Sequence, residues 1–507
     1  MTTTYLELIH RGAMAHGPRT AVVFEDQSLT FDQVQTLSNQ LAHTLIEQGV
    51  TRGERVAVLL NNGLHSVPVD FALVKCGANR VPLNSRLSLA EHRRMLEETQ
   101  CNYLVYGADL AERARELSGE LPELICHGLG DASSSGIDLL HAAAKASAKA
   151  PKVEVSDDDV VLTLFTSGTT GTLKAAQHTQ ASYAGICKNV LLNLIAVEQD
   201  DAMLHAASLI HASGVFVLPF WSRGARTVIM RGFDPDQFLQ LIEHHAITAI
   251  NLVPTMLQML MASPGFASTD IKHLRQVIYG ASPMPRPVID KAMELWGRER
   301  FWQYYGQTEC PLAVAVLRPE DHKGELLGSC GRPSIDVEIR LVDEQGNDVA
   351  PGEPGEIAVR SPSRMLGYFN APDLNQSMFF DDGWLRTRDI ACFDARGFLH
   401  IKDRTSDMII TGGYNVYPRE IEDVLMAHPA IAECAVVGLK DEKWVESVTA
   451  VVALHPGAEV DEQQLISFVA SQVASYKKPH RVLFMEQIPK TTVGKLNRKA
   501  LRDTLNA

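Results

Sequence analysis

No two of the cysteines, at 76, 101, 126, 187, 310, 330, 392 and 434, form a C-x-x-C pair. Their scatter offers neither a zinc site nor a disulfide framework and implies reduced thiols, hence a cytoplasmic chain. Long apolar runs are missing too. The longest, about GVFVLPFW at 214–221, falls far short of the ~20 residues of a membrane span. The start, MTTTYLELIHRGAMAHGPRT, lacks a basic segment followed by an apolar core, so it does not read as a signal peptide. Positive charge is also in deficit. A formal net charge of −14 argues against nucleic acid as partner. It does not exclude an anionic ligand, which responds to local charge. Internal repeats are absent, and the one biased tract, Ala/Ser/Lys at 142–151, reads as an exposed connection.

What is present suits a globular protein of several cores. The 507 residues exceed what one core accommodates, and 45% are hydrophobic against 21% charged. Up to about residue 330, strand-like runs such as RVAVLL, ARTVIM and HLRQVIYG alternate with helical segments. That is the pattern of α/β units around parallel strands, whose ligands bind beyond the strand C-termini. From about 334 the period changes, and DVEIRLVDEQGNDVAPGEPGEIAVRS reads as antiparallel strands of a small β subdomain. After about 403 comes a compact α+β module.

One loop raises a chemical question. VVLTLF, at 160–165, reads as a buried strand, and from His178 to about Leu194 the chain can be helical, which makes TSGTTGTLK a strand-to-helix loop. Thr166, Ser167, Thr169, Thr170 and Thr172 supply hydroxyls, Gly168 and Gly171 allow tight turns, and Lys174 adds a mobile charge. These are the parts of a polyphosphate cradle. They are equally the parts of a polar surface loop, and the spacing is not that of the common P-loop.

Four further segments carry chemistry, each with a plain alternative. In YYGQTE (304–309) aromatic faces suit a purine and Glu309 suits Mg²⁺; it is also a common strand end. In GWLRTRDI (383–390) Asp389 could accept both ribose hydroxyls. The segment DRTSDMIITGGYNVYPREIE (403–422) admits something thin at Gly412 and Gly413, or is a domain linker. In 477–502 eight Lys or Arg meet one acid, Glu486, which reads as a local anion-binding signal or as a basic solvated helix.

Together TSGTTGTLK, YGQTE, TRD, DR…GGYNVYPREIE and PKTTVGK resemble, in order and spacing over about residues 20–503, the adenylate-forming (AMP-binding) superfamily of acyl-CoA synthetases. The resemblance implies an α/β fold. A large N-terminal domain (1–402) would hold two α/β subdomains and a small β-barrel-like subdomain. A hinge at 403–406 and a small mobile α+β C-terminal domain (407–507) would follow. It implies ATP, Mg²⁺ and CoA. Thr166, Ser167, Gly168, Thr169, Thr170, Gly171 and Lys174 would cover the phosphates. Gly280, Ala281 and Ser282, with Tyr304, Tyr305 and Gly306, would surround adenine. Thr308 would touch the α-phosphate, Glu309 would hold the metal, and Asp389 and Arg404 would hold the ribose. Lys495 would bridge the substrate carboxylate and the α-phosphate. Gly412, Gly413, Tyr414, Trp444 and Lys478 would serve CoA. The sequence departs from the usual pattern at Arg388, where Gly is usual, at Leu173 in place of Pro, and at Ser406 in place of Asp or Lys.

The implied substrate is a small-molecule carboxylic acid. Tyr183, Ile186, His211, Ala212, Ser213, Cys310, Pro311 and Leu312, beside Gly280, would form the acyl pocket. Amino-acid-activating relatives place an Asp at about Ala212, and no Lys or Arg occurs from 306 to 317. An apolar acid, fatty or aryl, is therefore expected, and His211 fits an aryl acid or a packed core equally. Two alternatives to a CoA ligase stand beside it: an enzyme loading a carrier protein, and a non-catalytic nucleotide-binding relative. A homodimer is compatible with such a chain.

Overall fold

The computed structural model describes residues 3–131, 136–166, 174–380, 382–404, 407–411, 414–441, 444–491 and 496–506. Among them the chain forms four sheets. In the nine-stranded sheet, Phe301–Gln307, Gln276–Gly280, Ala249–Leu252, Ala202–His205, Arg226–Ile229 and Thr20–Phe24 lie side by side and parallel. The strand QVIYG, flanked on both sides in this sheet, is buried at every position, which suits its apolar run Val277–Tyr279.

In the seven-stranded sheet, Val160–Thr166 joins a parallel array through Asn79–Pro82. Lys174–Thr179 then returns antiparallel to Val160–Thr166, and Gly367–Tyr368 adds to its outer edge. The helix starts only at Gln180, capped by Thr179, whose hydroxyl accepts from the Ser182 N–H. So TSGTTGTLK connects two antiparallel strands, not a strand and a helix. The sequence KAAQHT is short of β-branched residues, and its strand character comes from pairing on both sides.

Four antiparallel strands, Glu338–Val342, Gly355–Arg360, Leu385–Phe393 and Leu399–Arg404, make the small β subdomain. The C-terminal module packs Pro418–Met426, Glu462–Ala470 and Arg498–Leu505 against a five-stranded sheet built on Ile431–Asp441 and Val445–Leu454. One apolar core, with Phe71, Trp221, Ile186 and Tyr304, joins elements of the two large sheets. All eight cysteines are unpaired. No described helix is long and apolar enough to cross a membrane.

Candidate active site

The parallel pairing of Gln276–Gly280 with Phe301–Gln307 puts Gly280 opposite Tyr304. A Cβ on Gly280 would lie 2.5 Å from the Tyr304 carbonyl oxygen and 2.9 Å from its ring. Only glycine permits that approach. Ala281 follows with φ 68°, so the chain leaves the strand sharply at the wall that Tyr304 and Tyr305 supply. Gly306 is similarly confined, since its Cβ would meet the Leu312 carbonyl oxygen at 2.4 Å. Ser282 lies at the end of the same turn.

The pairing of Leu385–Phe393 with Leu399–Arg404 sets Asp389 opposite Arg404. Tyr305 Oη donates to Asp389 Oδ2 at 2.6 Å, and Arg404 Nε lies 3.3 Å from Oδ1. Asp389 is buried. Burial, then the neighbouring carboxylate, raises the Tyr305 phenol well above its ordinary range, so it remains a donor. The Asp389 charge, the largest influence, raises the Arg404 guanidinium. Gln307 Nε2 donates to the Thr387 carbonyl at 3.2 Å and ties this strand to the 304–309 turn.

Thr308 and Glu309 sit on that turn. The Thr308 carbonyl accepts from His178 Nε2 at 2.8 Å. Because that nitrogen must carry the proton, Nδ1 faces the Ser182 hydroxyl as acceptor, at 3.4 Å. Burial pushes His178 down to about 4, so it is neutral at pH 7. Glu309 is buried and takes the Tyr368 phenol on Oε1. Lys174 Nζ lies 5.7 Å from the centre of the Tyr368 ring. Thr166 pairs across the hairpin with Lys174. The structure thus gathers Lys174, Tyr305, Thr308, Glu309, Asp389 and Arg404 from four separated segments. Ser167, Gly168, Thr169, Thr170, Gly171, Leu173, Ser406, Gly412, Gly413 and Lys495 lie outside the described residues.

Of the acyl candidates, Tyr183, Ile186, Ala212 and Leu312 share one apolar cluster. Tyr183 stacks on Tyr5 at 4.4 Å, with the Arg80 guanidinium 5.1 Å from its ring centre. Ser213 is buried against His205 Nδ1 at 2.9 Å. His211 Nε2 is 3.5 Å from Asn84 Nδ2. Cys310 turns away from that cluster into the core of the β subdomain, near Ser363, and Pro311 is half-buried beside it. The CoA candidates Tyr414 and Trp444 come to one end of the sheet because Thr411 pairs with both Tyr414 and Val445. Both are exposed, Tyr414 stacked on Tyr476 and Trp444 on His480. Lys478 is half-buried.

The basic run differs from its reading as a free anion-binding strip. Lys477 pairs with Glu420, Lys490 with Glu433, Arg498 with Glu422 and Asp407, and Arg502 with Asp407. These four charges are used inside the module, by acids distant in sequence.

Residues 9–369 match the family described as AMP-binding enzyme, and residues 420–495 match the AMP-binding enzyme C-terminal domain. The chain is an AMP-binding enzyme of the adenylate-forming superfamily. Similar AMP-binding enzymes include a feruloyl-CoA synthase from Amycolatopsis sp, 34% identical over 95% of both chains. A medium/long-chain-fatty-acid–CoA ligase, FadD8, from Mycobacterium tuberculosis is 35% identical over 97% of this chain and 88% of the other. Among solved structures, the amide bond synthetase McbA from Marinactinospora thermotolerans superposes with a TM-score of 0.91 at 29% identity, over 98% of this chain and 99% of that one.

His178 and Tyr368 escape motif reading. Each acts through a contact distant in sequence, 130 and 59 residues away, so no local spacing reports it.

Proposed function

We propose that this AMP-binding enzyme is an ATP-dependent acid–CoA ligase acting on an apolar carboxylic acid, aryl or fatty, through an acyl-AMP intermediate. The observation that carries the reading is the Tyr305–Asp389–Arg404 constellation set beside Glu309. It offers a ribose acceptor and a second, separately held carboxylate at one strand end. Asp389, oriented by both partners, accepts the two ribose hydroxyls. Tyr304 and Gly280 flank the purine, and Lys174 and the loop before it meet the phosphates.

The first half-reaction joins two anions, a carboxylate and a triphosphate, so its barrier is dominated by charge repulsion. The chain answers with cations: Lys174, Arg404 and, from the C-terminal module, Lys495. AMP then replaces oxide as the leaving group, and the CoA thiolate attacks the carbonyl by the path past Gly412 and Gly413, with Trp444 and Lys478 toward the nucleotide end of CoA. Glu309, a buried carboxylate, suits a hard divalent cation. Mg²⁺ held by Glu309 would neutralise phosphate charge. The module carrying Lys495 and Gly413 would serve the two half-reactions by turning about 403–406. Unpaired cysteines suit a reducing compartment, the cytoplasm.

The acyl group is assigned as apolar because Ala212, where amino-acid-activating relatives carry an Asp, packs instead with Tyr183, Ile186 and Leu312. His205 beneath it is driven down to about 3 by burial, hence uncharged. A panel of carboxylic acids, assayed for AMP release with and without CoA, tests the reading. Apolar aryl or aliphatic acids should release AMP in a CoA-dependent way, and α-amino acids should not. Release with amino acids alone, or release that ignores CoA in favour of an amine or a carrier protein, would replace it.

A further inference from the structure

Tyr368 stands where three parts of the phosphate site meet. Its strand, Gly367–Tyr368, lies along the exit strand of the phosphate hairpin, with Tyr368 opposite Ala176. Flanking backbone bonds fix the register: Leu366 N–H donates to Gln177 O and Phe369 N–H to Ala175 O, both at 2.8 Å. On the other side Met365 N–H donates to Glu309 O at 2.7 Å. Asn375, on the helix Pro372–Met378, holds Tyr368 at both backbone groups: its Oδ1 accepts the Tyr368 N–H at 2.7 Å and its Nδ2 donates to the Tyr368 carbonyl at 2.8 Å. A side chain so anchored has little freedom. Its hydroxyl meets Glu309 Oε1, and its ring faces the Lys174 ammonium at 5.7 Å.

We propose that Tyr368 is a positioning residue that couples the phosphate-binding lysine to the metal carboxylate. Its hydroxyl fixes the Glu309 rotamer and its ring face seats Lys174, setting the two charges at one spacing. The phenol occupies one carboxylate oxygen, which directs the other toward the cation. Hydrogen bonds to metal-binding carboxylates of this kind typically change metal affinity about 10–100-fold when removed. This inference rests on the reading of Glu309 as the magnesium carboxylate.

Three variants, Tyr368→Phe, Tyr368→Leu and Glu309→Gln, separate the possibilities. Two quantities are read: the Mg²⁺ concentration giving half-maximal ATP–pyrophosphate exchange, and equilibrium binding of ATP in EDTA and in Mg²⁺. Tyr368→Phe keeps the ring. It should raise half-saturating Mg²⁺ about tenfold, leave ATP binding in EDTA unchanged, and leave the KM for the carboxylic acid unchanged. Tyr368→Leu removes the ring face as well and should also weaken ATP binding in EDTA. Tyr368→Phe with a wild-type Mg²⁺ titration, while Glu309→Gln shifts it, overturns the role of Tyr368 alone. A wild-type Mg²⁺ titration in Glu309→Gln overturns the reading of Glu309 and the coupling with it.

Discussion

Arg388 stands immediately before Asp389 with φ 62°, a left-handed conformation that costs a non-glycine residue roughly 1–2 kcal/mol. Glycine is the residue the family pattern leads one to expect there, and the structure shows what holds an arginine instead. Glu356, buried and paired with Arg386 at 2.6 Å, accepts the Arg388 N–H at 3.2 Å. The Arg388 guanidinium donates to the last-turn carbonyl of Ser377 at 2.8 Å, where a cation also suits the helix dipole. Backbone strain is thus offset by two contacts, and Asp389 keeps Tyr305 and Arg404. Arg388→Ala loses the Ser377 contact and keeps the strain; Arg388→Gly loses the contact and relieves the strain. In urea unfolding the Gly variant should be more stable than the Ala variant by about 1 kcal/mol. An Ala variant equal to or more stable than the Gly variant would show that the backbone there is unstrained.

At the level of elements, strands such as Arg55–Leu59, Arg226–Ile229 and Gln276–Gly280 and the antiparallel β subdomain were legible, because their apolar periodicity is local. The strand Lys174–Thr179 was not: KAAQHT has weak strand propensity and is held as a strand by Val160–Thr166 on one side and Gly367–Tyr368 on the other. The site divides in the same way. Asp389, Glu309 and Tyr305 announce themselves by motif, whereas Tyr368, His178 and Asn375 matter through partners that only the fold brings near. The C-terminal helix Arg498–Leu505 shows why a charge run misleads. Leu501 is its one buried residue, so its attachment depends on charge pairs as much as on packing. Arg498 Nη2 lies 2.6 Å from Glu422, and both Arg498 and Arg502 lie 3.4 Å from Asp407. Arg498→Met would leave the buried Glu422 carboxylate without its arginine, while Asp407 keeps Arg502, a loss of about 3–5 kcal/mol for a broken buried pair. Hydrogen exchange should show lost protection in Arg498–Leu505 and across the Glu422 contacts, with Gln276–Gly280 unaffected. Unchanged protection in that helix would mean that apolar packing alone holds it.

Across the whole molecule, five histidines, His92, His127, His178, His205 and His322, are buried and lowered from their ordinary pKa. Burial is the largest cause in each: it lowers His127, His178 and His322 to about 4, and His205 to about 3. They sit in different parts of the N-terminal two-thirds, so their protonation acts on the fold as a whole. In the unfolded chain each titrates near 6.5. Between pH 6.5 and about 4 the unfolded state therefore binds protons that the native state refuses, and stability falls as the pH falls. Each such group removes up to about 1.4 kcal/mol per pH unit in that window, which is large against a typical total of about 5–15 kcal/mol. The urea midpoint should hold steady near neutrality and drop steeply from pH 6.5 to 5. His205→Asn should flatten that slope by up to about one proton, roughly 1.4 kcal/mol per unit, whatever it does to stability at pH 7. A slope between pH 6.5 and 5 that is the same in wild type and His205→Asn would show that His205 is protonated in the native protein, and that its surroundings admit the charge.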